Sequence, residues 1–488
     1  MANKATTCCL TTGLALFAVV TMAAEQRPNL VIVLCDDLGY GDLACFGHPK
    51  IKTARLDQMA AEGIRLTSFY SAAPVCSPSR VGLLTGRSPN RAGVYDWIPA
   101  VRQGRARQND NRDLVHMRRD EPTIASLLKR AGYATCLSGK WHCNSRFNHP
   151  DQPQPSDAGF DHWFATQNNA RPSHRNPVNF VRNGQRVGAL RGTSCQIVVD
   201  EAIDWLRGQR AAQPDQPFFL YVAYHEPHEP VASPAELVKR YLPQSETRQQ
   251  AEYFANVHNL DLATGRLLDA LDELEVDDQT LVVFSSDNGP ETLRRYPGAG
   301  RSYGIPGPLR GMKLWTTEAG FRVAGIARWP GTIPAGRVSD EVVSSLDLLP
   351  TFCALAGADV PADRVFDGAD CLAVLKGGHL TRDKPLLWCY YRAINQRRVA
   401  MRDGDWKVLA RLVDSEGQPL RQVPNLFPGN ARKYQGATLA DLQIFKIRED
   451  VAEQRDLASM EPTELERLRV KLTAAYRELL ADSPVWKR

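Results

Sequence analysis

At 488 residues, 43% hydrophobic and 24% charged, the chain is ordinary globular material, long enough for one large domain plus a smaller one with a sizeable core. Lys and Arg total 60 against 55 Asp and Glu, a formal charge of +5, which argues against nucleic acid as a partner but leaves room for a local basic pocket that takes a small anion.

In chain order, residues 1–24 read as an export signal. Lys4 supplies positive charge, Cys8–Val20 is apolar, and small residues surround Ala23 and Ala24 before Glu25-Gln26-Arg27. A membrane anchor is the alternative, but a span needs about 20 apolar residues and this run is shorter. No second long apolar run follows. The expectation is an exported protein (periplasmic, extracellular or lumenal) without stable membrane insertion once the signal is removed. Of eleven cysteines, Cys8 and Cys9 leave with the signal. Cys35, Cys45, Cys76, Cys136, Cys143, Cys195, Cys353, Cys371 and Cys389 remain. No C-x-x-C spacing occurs, which argues against a zinc ribbon or a thioredoxin-like motif. An odd count in an oxidising compartment leaves at least one thiol unpaired or chemically changed, and the pairing of the others is open.

"NLVIVLCDDLGYGD" is an apolar run, Leu30–Leu34, that breaks at Asp36-Asp37, the pattern of a buried parallel strand with polar residues at its carboxyl end. "PFFLYVAYHEPHEP" repeats it from Phe218 to Ala223 and ends in His225 and His228, and "TLVVFSSDNGP" repeats it from Leu281 to Phe284 before Asp287-Asn288. Between them, "TARLDQMAAEG" puts Leu56, Met59 and Ala60 on one helical face and stops at Gly63. "TIASLLKRAGY" does the same with Ile124, Leu127, Leu128 and Ala131. Strands alternating with helices predict an α/β fold, a mostly parallel sheet with helices on both faces, whose ligands bind beyond the carboxyl ends of the strands. The polar stretch Gln152–Pro177 reads as a long surface loop. After about residue 380 the texture becomes antiparallel: Trp406, Val408 and Ala410 alternate, and a last helix from Thr463 carries Leu465, Leu468, Leu472 and Leu479 on one stripe. This predicts a large α/β domain over 25–380 and a small α+β domain over 381–488.

The chemistry-bearing residues sit at the strand ends. Asp36, Asp37, Asp287 and Asn288 offer only oxygen, which suits calcium or magnesium and not zinc or copper. Each pair could instead cap a turn, but two such pairs, each closing an apolar run, favour a metal. In "SAAPVCSPSRVGLLTGR", Pro78 fits the first turn of a helix beginning near Ser77, whose N–H groups and Arg80 would face Cys76 and any anion beside it. That field would lower a thiol's pKa, as in a cysteine phosphatase. Those enzymes, however, wrap a longer loop between Cys and Arg and use no metal, so the acidic pairs would have no role. A buried inert cysteine is the other reading of this stretch.

Cys76-Ser77-Pro78-Ser79-Arg80 followed by Leu84-Thr85-Gly86-Arg87 resembles the signature of the type I, formylglycine-dependent sulfatases of the arylsulfatase and N-acetylgalactosamine-6-sulfatase kind. Asp36-Asp37, Lys140 and His142 in "GKWH", His228 in "PHEP", Asp287-Asn288 in "SDNG" and Lys313 in "LRGMK" match in the family's order, as do "EAGFRV" and "RWPG". "DWKVL" and "EQRDLA" are similar to its C-terminal domain. The resemblance implies an alkaline-phosphatase-like fold and a sulfuric ester hydrolase. It implies a maturation enzyme that oxidises Cys76 to formylglycine (3-oxoalanine), and one calcium held by Asp36, Asp37, Asp287, Asn288 and modified Cys76. It also implies that Arg80 and Lys140 fix the aldehyde hydrate, that His142 takes its second proton, and that His228 and Lys313 bind sulfate oxygens and help protonate the leaving alcohol. Cys143-Asn144 and "LWTTEAGFR" depart from the usual pattern without removing one of these groups. His225 is a further candidate for substrate contact. A sulfated carbohydrate is the expected substrate, since Gly159–Pro177 supplies amides, aromatics and basic groups. The alternatives are a phosphomonoester, phosphodiester or phosphonate hydrolase on the same fold, and a catalytically silent protein that binds sulfated glycan.

Overall fold

The apolar run Leu30–Leu34 becomes a middle strand because both of its faces are covered. Leu30, Ile32 and Leu34 belong to one core cluster, and Val31, Val33 and Cys35 to another on the opposite face, as the two-residue repeat of a strand requires. The computed structural model describes Met1 and residues 27–101, 112–292 and 303–487. The segment read as an export signal therefore lies, Met1 apart, outside the described residues. Among the described residues no helix is long and apolar enough to cross a membrane.

Among the described residues eleven strands form the main sheet. They are β1 (Asn29–Asp36), β2 (Ile64–Tyr70), β3 (Ala134–Lys140), β4 (His162–Thr166), β5 (Val181–Arg182), β6 (Gln185–Arg186), β7 (Phe218–Pro227), β8 (Thr280–Ser286), β9 (Arg322–Arg328), β10 (Arg337–Ser339) and β11 (Val343–Ser344). Their order is β10-β2-β9-β8-β1-β7-β3-β4-β5-β6, with β11 beside β2. β1 lies parallel to both β7 and β8, and β3 parallel to both β7 and β4. β9 runs against β2 and β8. The large, mostly parallel sheet expected from the alternating pattern is present. Its carboxyl edge collects Asp36 from β1, Lys140 from β3, His225 from β7 and the residues after Ser286 of β8.

Helices cover both faces. On one side α1 (Ala54–Glu62), α4 (Ser194–Ala212) and the helix Arg248–Glu273 contribute Leu56, Met59, Val198, Val199, Leu260 and Leu267 to the core. On the other, α2 (Cys76–Thr85), α3 (Ile124–Arg130) and the helix Leu348–Ala356 contribute Val81, Leu84, Ile124, Leu127, Leu128 and Phe352. Thr123 caps α3 by accepting from Ser126 N.

The stretch Gln152–Pro177 is not one surface loop. His162–Thr166 is a strand parallel to β3, with every residue after His162 buried. Its apolar content, Trp163-Phe164-Ala165, is brief and enclosed by Pro, Asn and Gln, so the composition of the window hid it.

Four antiparallel strands form the second sheet: β12 (Leu386–Cys389), β13 (Val399–Asp403), β14 (Trp406–Val413) and β15 (Thr438–Lys446). Val408 and Ala410 face the helix Pro462–Ala481 with its Leu468, Leu472 and Leu479. Leu409, Trp388 and Ala400 pack on Tyr70 and Phe321 at the end of the main sheet. The sheet is thus covered on both faces. All nine cysteines from Cys35 onward are free thiols, and all but Cys45 are buried.

Candidate active site

Four strand ends and one helix start build the site. β1 ends at Asp36, and the chain turns through a left-handed Asp37 (φ 66°), a conformation Asp tolerates better than most residues. That turn lets two consecutive carboxylates enter one buried cluster. Asp36 Oδ2 accepts from Lys140 Nζ at 2.6 Å. Asp37 Oδ1 accepts from Asn288 Nδ2 at 2.7 Å and from Lys313 Nζ, and Asp37 Oδ2 stands 3.7 Å from His228 Nε2. Asp287 Oδ1 accepts from the Asp37 backbone N–H at 3.2 Å. Its Oδ2 accepts from Arg80 Nε at 2.9 Å and lies 2.8 Å from Arg80 Nη2. Arg80 Nη1 also donates to the Lys140 carbonyl at 3.2 Å.

Extended Val75 (φ −160°) starts α2 at Cys76, one residue before the sequence-based expectation, with Pro78 in its first turn. Ligand atoms of Asp36, Cys76 and Asp287 all lie within 4.8 Å of one another, as do those of Asp36, Asp37 and His228. Cys76 is 4% exposed and packs with Val75, Tyr390 and Ala393, beside Trp97 and Leu314. The second sheet's connection thus reaches the helix start.

His142 also adopts a left-handed backbone (φ 54°). Its Nε2–H donates to the Ile98 carbonyl at 2.9 Å, and Ile98 N–H donates to Ser77 Oγ, beside Cys76, at 2.9 Å. With Nε2 protonated, the lone pair sits on Nδ1, a buried atom with no hydrogen-bond partner. Burial first, then Lys140, holds the ring well below the usual histidine pKa, so it is neutral at pH 7. His225 is 1% exposed and bonds Thr166 Oγ1 through Nε2 at 2.8 Å.

The donor set suits a hard cation. Asp36 Oδ1 and Asn288 Oδ1 are buried and take no hydrogen bond. Burial would raise Asp36, but Lys140, His228, Arg80 and Lys313 hold it well below the usual carboxylate range. Burial pushes Asp287 up to about 7, with Arg80 opposing and Asp36 adding. Orphaned oxygens and crowded carboxylates both fit an oxygen-ligated divalent ion. Burial also raises the Cys76 thiol, against Lys140 and Lys313, so the unmodified thiol stays protonated.

Two groups escaped sequence reasoning. Glu226, fully buried between His225 and His228, accepts from Ser194 Oγ, from Cys195 N–H at 3.0 Å and from His225 N–H at 3.2 Å. His174 Nδ1 lies 3.7 Å from it. Together they anchor the end of β7. The one available signal was a carboxylate set between two histidines after an apolar run.

Residues 28–358 match the Sulfatase family model, and 312–420 match the model described as N-sulphoglucosamine sulphohydrolase, C-terminal. N-acetylgalactosamine-6-sulfatase of Canis lupus familiaris is 36% identical over 425 residues, 83% of this chain and 76% of the relative. Arylsulfatase A of Homo sapiens is 34% identical over 407 residues, 79% and 75% of the two chains. Among solved structures, Ps i-CgsB in complex with k-i-k-neocarrahexaose aligns with a TM-score of 0.76 at 27% identity, covering 94% of each chain. The PsFucS1 sulfatase from Pseudoalteromonas sp. shares the fold with a TM-score of 0.73 at 24% identity, over 94% and 92% of the chains. A family match over most of the main sheet, and relatives at a third identity across most of either chain, put this chain in the sulfatase family as a hydrolase of sulfuric esters.

Proposed function

We propose that this sulfatase is exported, takes one calcium ion, carries formylglycine at position 76 and releases sulfate from sulfated carbohydrates. The observation that carries the reading is Cys76 at the buried start of α2, with its sulfur within 4.8 Å of carboxylate oxygens of both Asp36 and Asp287. A raised thiol pKa makes plain Cys76 a poor nucleophile, whereas a hydrated aldehyde there puts two hydroxyls on one carbon, one for transfer and one for release. A serine could accept the sulfuryl group but would keep it.

Asp36, Asp37, Asp287 and Asn288, with an oxygen at position 76, would hold calcium. When bound, it supplies Lewis-acid polarisation of a sulfate oxygen and stabilises a nucleophilic oxygen. The other roles belong to the chain itself. Arg80 and Lys140 hold position 76 and neutralise charge. His142 Nδ1 takes the proton whose loss expels sulfate. His228 and Lys313 bind sulfate oxygens and help protonate the leaving alcohol, general-acid work worth about 10²–10⁴-fold. The names of the curated relatives and the carbohydrate bound to the solved one support a sugar substrate.

Intact-peptide mass spectrometry across residue 76 of the exported protein tests the modification. The expected peptide is about 18 Da lighter than the thiol form, off the ordinary oxidation ladder; an unmodified thiol in active enzyme overturns it. Cys76→Ser should keep its fold and lose turnover. Paired aryl sulfate and aryl phosphate rates test the ester, and a clear preference for phosphate would move the protein to the phosphate-hydrolase reading.

A further inference from the structure

A cleft of about 940 Å³ opens beside the reaction centre, walled by Trp97, Phe147, Gln167, Asn168, Asn169, Arg171, Asn179 and Arg186, with Pro99–Val101, Asp113 and Ser145 completing its rim. It is joined to the catalytic cluster through the backbone. His142 Nε2 and Gln167 Nε2 both reach the Ile98 carbonyl, at 2.9 and 3.3 Å, and His142 N–H donates to the Gln167 carbonyl at 2.7 Å. Trp97 packs against the apolar cluster of Val75, Cys76, Tyr390 and Ala393. Residues 167–169 follow β4 directly, and its last residue, Thr166, pairs in register with Lys140. A group transferred at position 76 therefore has this cleft as a neighbour.

The cleft's chemistry is that of an acidic sugar site. Trp97 and Phe147 offer ring faces for the apolar side of a pyranose. Gln167, Asn168, Asn169 and Asn179 offer amide donors and acceptors for hydroxyls, and Asn168 Oδ1 and Asn169 Oδ1 are buried without a hydrogen bond. Arg171 lies in the loop between β4 and β5, and Arg186 ends β6. Both are exposed, and among the described residues neither side chain enters an ion pair. The loop that carries Arg171 is fixed: its N–H donates to Asn179 Oδ1 at 2.8 Å, and Asn179 Nδ2 donates to the Asn169 carbonyl at 2.9 Å. Among the described residues Asp113 is the one carboxylate on the wall, and there the two guanidinium groups outnumber it.

We infer that this cleft is a subsite for a second anionic group, a carboxylate or a sulfate ester, on the sugar next to the one carrying the scissile sulfate, and that Arg171 and Arg186 read it. The inference deepens the proposed function and rests on it for the position of the scissile ester. The preferred substrate is then an acidic oligosaccharide, and a lone sulfated sugar is the poorer one. Guanidinium groups suit both anions through paired N–H donors.

The mature enzyme is assayed on three disaccharides that share one sulfated sugar and differ in its neighbour: neutral, uronate-bearing, or bearing a second sulfate. A small aryl sulfate serves as a probe of the reaction centre alone. Wild type should show kcat/KM about tenfold or more higher for an acidic neighbour than for the neutral one, falling with ionic strength. Arg171→Gln/Arg186→Gln should erase that preference, a loss of about tenfold for charge-assisted contacts, and leave the aryl sulfate and neutral rates within about twofold. The uronate and disulfate arms separate the two anion sources. Equal rates on acidic and neutral disaccharides in wild type, or an equal loss on all substrates in the variant, overturn the subsite. Should wild type release no sulfate from any ester, the proposed function fails. The subsite is then judged by calorimetry on the same disaccharides with Cys76→Ala: tighter binding of the acidic ones, abolished by the double arginine change, supports it, and equal binding overturns it.

Discussion

His142 shows how one backbone contact can assign a proton. A donor bond from Nε2 to the Ile98 carbonyl leaves the lone pair on a buried, unpartnered Nδ1, and burial plus the Lys140 charge keeps the ring neutral. The base proposed for this site must be unprotonated to act, so a pKa lowered well below 6.5 would extend activity toward acid. The acid limb of kcat/KM for an aryl sulfate should therefore fall below the ordinary histidine value of about 6.5. A half-point at or above about 6.5 would remove His142 as the base. His142→Ala should lower kcat by about 10²-fold or more, with KM changed far less. The three arms of Asp37 make the complementary case. It meets Asn288, Lys313 and His228, so Asp37→Ala takes a charge partner from the buried Lys313 as well as one oxygen from the proposed cation site. Calcium affinity, measured by chelation-resolved activity, should drop together with thermal stability, whereas Asn288→Ala should weaken the ion and spare most of the stability.

At the scale of elements, the parallel sheet turns sequence pattern into position. A polar residue that ends a buried apolar run must stand at the carboxyl edge, so Asp36, His225 and Asp287 could be placed together before any coordinates, and the motif order added Lys140, His142, His228 and Lys313. What could not be read has a physical reason. β4 is too short and too polar in its surroundings to show a period. The cleft residues Trp97 and Phe147 come from separate connections and Arg186 from the two-residue strand β6, where no periodicity says which segments meet. Glu226 holds Ser194 Oγ and two backbone N–H groups, partners that its place between two histidines does not reveal. Strand spacing also makes β3 intolerant just before Lys140. Gly139 has φ 119°, and a Cβ there would sit 1.9 Å from the Ala223 carbonyl oxygen on β7. Backbone cannot yield as a side-chain tip does, so Gly139→Ala must shift β3 against β7 and carry Lys140 with it. The expected result is a destabilisation of about 3 kcal/mol, read by denaturant unfolding, with a fall in kcat larger than the stability loss explains. A variant with native melting and native kcat would show that the strand pair has slack at this point.

For the whole molecule, the question is what holds the four-stranded sheet against the main one, since Tyr390 and Ala393 from its side help bury Cys76. Part of the answer is apolar: Trp388 stacks on Phe321 with ring centroids 4.0 Å apart. Part is ionic and fully buried. Lys407 Nζ of β14 lies 2.9 Å from Glu318 Oε1 and 2.8 Å from Glu453 Oε1. Glu318 also takes Tyr70 Oη–H at 2.7 Å and Arg322 at 3.1 Å. Removing the shared cation leaves buried Glu453 without its counter-charge and takes one of Glu318's cations away, so Lys407→Met should cost about 3–5 kcal/mol. Adding Glu318→Gln and Glu453→Gln to it should recover part of that loss, because neutral amides cost less to bury than charges. The pH dependence has a definite sign. Burial would raise Glu318, but Lys407, Arg322 and Arg402 together bring it down to about 2, below the unfolded value of about 4.3. Its stabilisation is complete above that unfolded value and is lost as pH falls toward about 2. Melting of the wild type should therefore drop steeply across this acid window, and Glu318→Gln should flatten the drop while lowering the melting point near neutrality. Because the same interface covers Cys76, sulfate release by Lys407→Met should vanish at the temperature where its tertiary signal is lost, well below that of the wild type. Loss of the main-sheet signal without loss of the second-sheet signal would mean that the ionic cluster does not couple the two sheets.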